Sequence, residues 1–126
     1  MDMRTPLSRA RGLGSTKDGV GHWVALRLSA MALVPLILWF AYSAVSLVGA
    51  GHAAFTAWAG EFGNTLLLVL LTLSMFHHGM LGLQEVIEDY VHTEAIKVAG
   101  LIAVKFAAAL CATATIVAIL RIGLGT

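Results

Sequence analysis

Three long apolar runs dominate the pattern of hydrophobic and polar positions. Residues 28–50, 62–84 and 98–120 each give 23 positions, and the only formal charge in any of them is Lys105. A membrane-crossing helix needs roughly 20 mostly apolar residues at about 1.5 Å rise each, so all three runs are long enough. Lipid supplies no hydrogen-bond partner to the backbone, and helices satisfy theirs internally. The pattern therefore predicts an all-α integral membrane bundle of three transmembrane helices, over about 23–50, 62–89 and 95–121. The first run is longer than the roughly 7–15 apolar residues of a cleaved signal, and no clear Ala-x-Ala site follows it.

Composition agrees. Of the 126 residues 59% are hydrophobic and only 12% charged, too little polar surface to cover a soluble core of this size. Residues 1–22 are polar and Gly-rich, a cytoplasmic tail whose order is expected to come from a partner, ahead of one membrane domain over 23–126.

Basic residues set the expected orientation. Arg4, Arg9, Arg11 and Lys17 precede the first helix and Arg27 lies at its start, while the first connection, 51–61, has no Lys or Arg. Lys97 marks the second connection and Arg121 the C-terminal end. The stronger bias places the N-terminus in the cytoplasm and the C-terminus outside it, on the periplasmic side of a bacterial inner membrane. The net charge of +1 adds nothing further, and there is no nucleic-acid footprint or internal repeat.

A phosphate loop, a Cys/His zinc cluster and a nucleophile elbow are all missing from the sequence. Cys111, the single cysteine, falls mid-way along the third helix and reads as a small packing residue. Chemistry must come from elsewhere, and FHHGMLGLQEVIEDYVH, residues 76–92, supplies it. Two adjacent histidines end an apolar run and are followed by three acids and a tyrosine.

Helical geometry sorts these groups. Eleven residues turn about 1100°, close to three full turns, so His78 and Asp89 share a face roughly 16 Å apart along the axis. His77 points about a third of a turn away from Asp89. Gly82 lies one turn from His78, and Gly79 and Gly82 leave the helix surface bare, as a large flat ligand requires and as close helix packing also permits. A histidine inside a membrane either donates one hydrogen bond across helices or ligates a group such as haem iron, for which neutral imidazole is a good ligand. His22 and His52 belong to opposite ends of the first helix, away from the depth of His78. A six-coordinate haem would therefore draw its second histidine from another chain, making this sequence half of a site.

The acidic end reads in parallel. Glu85 and Glu88 fit a solvated interfacial turn. Asp89 and Tyr90 together offer a phenol that donates a hydrogen bond and a carboxylate that orients it or relays a proton, both needed by a quinone headgroup being reduced. Lys105 either snorkels to the cytoplasmic interface or pairs with a buried anion such as a haem propionate.

The spacing His78-x3-Gly82-x6-Asp89-Tyr90 resembles the signature of the haem b-containing membrane anchor subunits of succinate dehydrogenase, respiratory complex II. The start of the first helix, HWVALRLSAMALVPL, is similar to that family too, with a Trp and an Arg ahead of the apolar run. The likeness covers nearly the whole chain after the tail.

The resemblance implies half of a heterodimeric haem-binding anchor. His78 would be an axial ligand of haem b iron, shared with a histidine of a second membrane anchor subunit. Tyr90, with Asp89 beside it, would bind ubiquinone. Arg27 would lie near the haem propionates or the quinone, or serve as a positive-inside anchor. A flavoprotein subunit and an iron–sulfur subunit would complete a succinate:ubiquinone oxidoreductase of the respiratory chain and tricarboxylic acid cycle, with this chain non-catalytic by itself. The alternatives are the anchor of a related fumarate reductase, or a small subunit using His78 and Asp89 as a proton or ion relay without haem.

Overall fold

A computed structural model describes residues 5–10 and 17–126. It contains a short helix α1 (Pro6–Ala10), the long helices α2 (Lys17–Ser46), α4 (Phe62–Tyr90) and α5 (Glu94–Leu124), and a ten-residue helix α3 (Gly51–Gly60). Three stretches are long and apolar enough to cross a membrane, Gly19–Ser46, Phe62–Tyr90 and Glu94–Leu124. The protein is an all-α membrane bundle. The expected partner-supplied order of the tail falls largely on residues 1–4 and 11–16, outside the described residues.

Two boundaries differ from expectation for physical reasons. α2 begins at Lys17, six positions before the expected start at 23, because a helix does not end where its lipid-facing part ends. It stops at Ser46 rather than near 50, in a turn whose Gly49 and Gly51 take positive φ of 78° and 80°. Those angles suit glycine and break helical propagation. The connection after it is itself a helix. α3 carries Ala53, Ala54, Ala57 and Ala59, the strongest helix formers, but is too short to cross a bilayer.

Side chains close the α3–α4 joint. Glu61 is extended, with ψ 134°. Asn64 donates to the Trp58 carbonyl at 2.9 Å and Thr65 to the Ala59 carbonyl at 2.7 Å, satisfying acceptors left open at the end of α3. The Trp58 ring stacks on Trp39 of α2, centroids 5.8 Å apart, and Phe55 lies 6.1 Å from Trp58. Such aromatic groups suit a membrane–water interface. At the far end of the chain, Gly125 adopts φ 71° and its N–H returns to the Ile122 carbonyl at 3.1 Å, the left-handed turn that commonly ends a helix.

α4 is the centre of the arrangement. It packs along α5 most extensively and along α2 next, whereas α2 and α5 do not meet. The interior this creates is thin. Among the described residues Leu33, Ala59, Leu71 and Leu81 are the buried apolar ones, and α5 contributes none. The large apolar side chains that remain exposed, from Leu28 and Met31 to Phe106 and Leu110, suit lipid or neighbouring apolar helices.

Candidate functional site

His78 sits on the side of α4 that faces α2. Its Nδ1 lies 2.9 Å from the Oγ of Ser29, a residue only 7% exposed. The Ser29 hydroxyl also lies 2.9 Å from the Leu26 carbonyl one turn back on α2. A carbonyl only accepts, and a serine hydroxyl has a single proton to give. Both contacts are satisfied when Ser29 donates to Leu26 and accepts a proton-bearing Nδ1–H from His78. That assignment leaves the lone pair on Nε2, which has no hydrogen-bond partner among the described residues.

Two turns further along the same seam, His22 Nε2 meets Glu85 Oε1 at 3.1 Å. His22 and Ser29 are seven apart on α2, and His78 and Glu85 are seven apart on α4. Seven residues make nearly two turns, so the two contacts pin an antiparallel register along about 10 Å of the seam. Glu85 keeps 47% of its side chain exposed, as a solvated turn implies, and in addition meets His22. Glu88 fits such a turn as well, exposed and accepting from the Gln84 amide at 3.1 Å.

His77 goes elsewhere. Its exposed ring lines an open groove of about 540 Å³ with Ala25, Leu28, Ser29, Leu73 and Ser74, and a second of about 180 Å³ that also includes Lys105. The two adjacent histidines thus differ in partner: His78 bonds to Ser29 across the α2–α4 seam, whereas His77 opens into the groove that Ser29 also lines. Asp89 and Tyr90 end α4, both exposed, Tyr90 at 77%. They lie about 16 and 18 Å from His78 along the axis and are not brought into contact with it.

Arg27 is also separate. Its guanidinium lies 5.4 Å over the Trp23 ring, a cation–π contact, and it makes no hydrogen bond or ion pair among the described residues. Two residues turn about 200°, so Arg27 and Ser29 occupy nearly opposite sides of α2.

The glycines divide. A Cβ on Gly123 would stand 3.1 Å from Thr65, and one on Gly100 3.6 Å from Ile87, so these α5 glycines admit α4 closely. A Cβ on Gly79 or Gly82 would meet open space. Gly79 opens into an apolar groove of about 360 Å³ between α4 and α5, which Cys111 also lines, so the two α4 glycines are not explained by packing within this chain. Cys111 is exposed rather than packed.

Among the described residues no three His, Cys, Asp or Glu side chains converge as a metal site. In the tautomer that the Ser29 contact favours, His78 offers an Nε2 lone pair, the form that haem ligation requires, while the adjacent His77 offers a second imidazole on the same helix that cannot reach the opposite side of the same iron. The residues present therefore fit one axial position. Sequence reasoning missed Ser29 and the His22–Glu85 pair; the matched seven-residue spacings were the signal, readable once α2 and α4 are known to be antiparallel.

Comparison with known proteins gives the family. Residues 1–119 match the family model described as succinate dehydrogenase/fumarate reductase transmembrane subunit. The chain is 31% identical over 118 residues to a succinate dehydrogenase hydrophobic membrane anchor subunit of Rickettsia bellii, covering 94% of both chains. It is 31% identical over 121 residues to the protein so described from Paracoccus denitrificans, covering 96% of this chain and 93% of that one. A similar subunit of Rickettsia typhi shares 28% over 120 residues. With three apolar helices and matches along almost its whole length, the chain belongs to the succinate dehydrogenase/fumarate reductase transmembrane subunit family, as a hydrophobic membrane anchor that is not catalytic by itself.

Proposed function

We propose that this anchor provides one axial ligand of a haem b and part of a ubiquinone-reduction site in a succinate:ubiquinone oxidoreductase. The observation that carries the reading is the Ser29–His78 hydrogen bond, which leaves Nε2 of an intramembrane imidazole free to ligate. Haem bound there supplies a one-electron carrier within the bilayer. His78 would be one ligand of its iron, shared with a histidine of a second membrane anchor subunit. The open faces of Gly79 and Gly82 and the exposed apolar surface fit a chain that meets a partner in the membrane.

Tyr90 and Asp89 act at the end of α4. The phenol donates a hydrogen bond to a quinone carbonyl, and the neighbouring carboxylate orients it and relays protons, two of which reduction to the quinol consumes along with two electrons. Their exposure in this chain suits a site completed by the second membrane anchor subunit, with electrons reaching it through an iron–sulfur subunit from a flavoprotein subunit that oxidises succinate. Arg27, stacked on Trp23 at the same end of the bundle, is assigned to the cytoplasmic interface, within reach of propionates or quinone supplied across the partner. Lys105 snorkels towards that interface. The basic residues of the N-terminal region orient the chain with its N-terminus in the cytoplasm and its C-terminus in the periplasm of a bacterial inner membrane.

The test is a reduced-minus-oxidised optical spectrum of the purified complex, with succinate-driven ubiquinone reduction measured alongside. A b-type band together with succinate-dependent reduction is the expected result. A complex that retains every partner chain but carries no haem would leave an anchor or a proton relay. Faster fumarate reduction by a low-potential quinol than succinate oxidation would assign the chain to a fumarate-reducing enzyme.

A further inference from the structure

The geometry points to Ser29 as a positioning residue for the His78 imidazole, fixing its tautomer and raising its strength as a metal donor. This inference rests on His78 being the haem ligand. The relay Leu26 C=O, Ser29 O–H, His78 Nδ1–H runs in one direction only, because its last acceptor is a carbonyl. With Nδ1 committed as a donor, Nε2 keeps its lone pair and the ring is held in one orientation. Ring nitrogens of metal-ligating histidines commonly donate to an outer partner in this way, and loss of that partner typically costs about 10–100-fold in metal affinity.

Three features distinguish this contact from incidental packing. Ser29 is among the few buried residues of a thinly packed chain, at 7% exposure. Its hydroxyl gives its one proton to the Leu26 carbonyl, so towards His78 it can only accept. The His22–Glu85 contact at 3.1 Å, two turns away on the same seam, holds the two helices in the register that brings Ser29 to His78. A hydrogen bond across membrane helices adds little stability, so stability alone is a weak reason for it. An Nδ1–H bonded to a hydroxyl that is itself bonded to a carbonyl makes the imidazole more electron-rich, which favours ferric over ferrous iron and lowers the midpoint potential.

The test compares the assembled complex carrying Ser29→Val, Ser29→Ala or Ser29→Thr with wild type, reading the haem-to-flavin ratio, the haem midpoint potential and the low-spin ferric electron paramagnetic resonance spectrum. Val and Thr share a shape and differ in the hydroxyl, and Ala tests the effect of volume. Val and Ala should each raise the potential, shift the ferric signal and lower haem retention on washing by about 10-fold or more, and Thr should restore all three. Val and Thr shifting together would mark a packing effect and remove Ser29 from the role, as would all three variants matching wild type. His78→Ala in the same series separates the two readings. Haem lost there with an unchanged Ser29→Val complex overturns the positioning role alone, whereas haem retained with its native signature in His78→Ala overturns the ligand assignment beneath it.

Discussion

Along α4, the side turned to α2 and the side turned to α5 meet their neighbours by different chemistry. Towards α2, His78 bonds to Ser29 at 2.9 Å and Glu85 to His22 at 3.1 Å. Towards α5, the approach is set by glycines: Gly100 against Ile87 at 3.6 Å and Gly123 against Thr65 at 3.1 Å, distances a Cβ would reach. Small residues let membrane helices gain dispersion contact, and this is the more extensive of the two seams. The α2 seam is shorter and polar. Since bonds of that kind contribute little stability in lipid, their placement is better explained by positioning: one seam sets the shape of the anchor and the other carries its chemistry.

That division yields three ranked predictions. The largest effect is expected at the exposed end of α4. Tyr90→Phe should lower ubiquinone reduction by about 100-fold, the lower end of what a positioned proton donor contributes, and leave the haem spectrum unchanged. Steady-state assays with succinate and a soluble quinone check it, and normal kinetics would remove Tyr90 from the site. Next comes the α5 seam. Gly123→Val should destabilise the anchor by about 1–3 kcal/mol, because Thr65 is held to the Ala59 carbonyl at 2.7 Å and cannot turn aside freely. Thermal unfolding in detergent reads the loss, and the haem potential should not move. A potential that shifted as much as in Ser29→Val would erase the contrast between the seams.

The smallest effect belongs to Glu85→Gln. The amide keeps a hydrogen bond to His22 and loses only charge, at a site where Glu85 is 47% exposed. The expected loss is under about 1 kcal/mol, with haem retained. A loss of haem in this variant would mean that the pair does more than hold register.

The membrane spans were legible in the sequence because lipid leaves the backbone no alternative to helix over runs of that length. α3 was not, since ten Ala-rich residues fall below the crossing length, and what holds them is packing against α4 and α5 together with Trp58 stacking on Trp39 of α2. The angular match with Asp89 set His78 apart from His77 in the sequence, and in the structure it is His78 that bonds to Ser29. Ser29 was not distinguishable: a serine in an apolar run is ordinary until the pairing of α2 with α4 is known. For the same reason His22 and Glu85 each looked like isolated interfacial groups. Periodicity within one helix is readable from sequence, whereas register between helices is a property of their packing.

On the proposed assignment the polar seam presents His78, and not His77, to haem iron. Reduced-minus-oxidised spectra of the intact complex with His77→Ala and with His78→Ala are the sharpest test of it. A native b-type band is expected in the His77 variant, and its loss or severe perturbation in the His78 variant; a band that disappears only with His77 would move the ligand to the outward face of α4 and contradict the assignment.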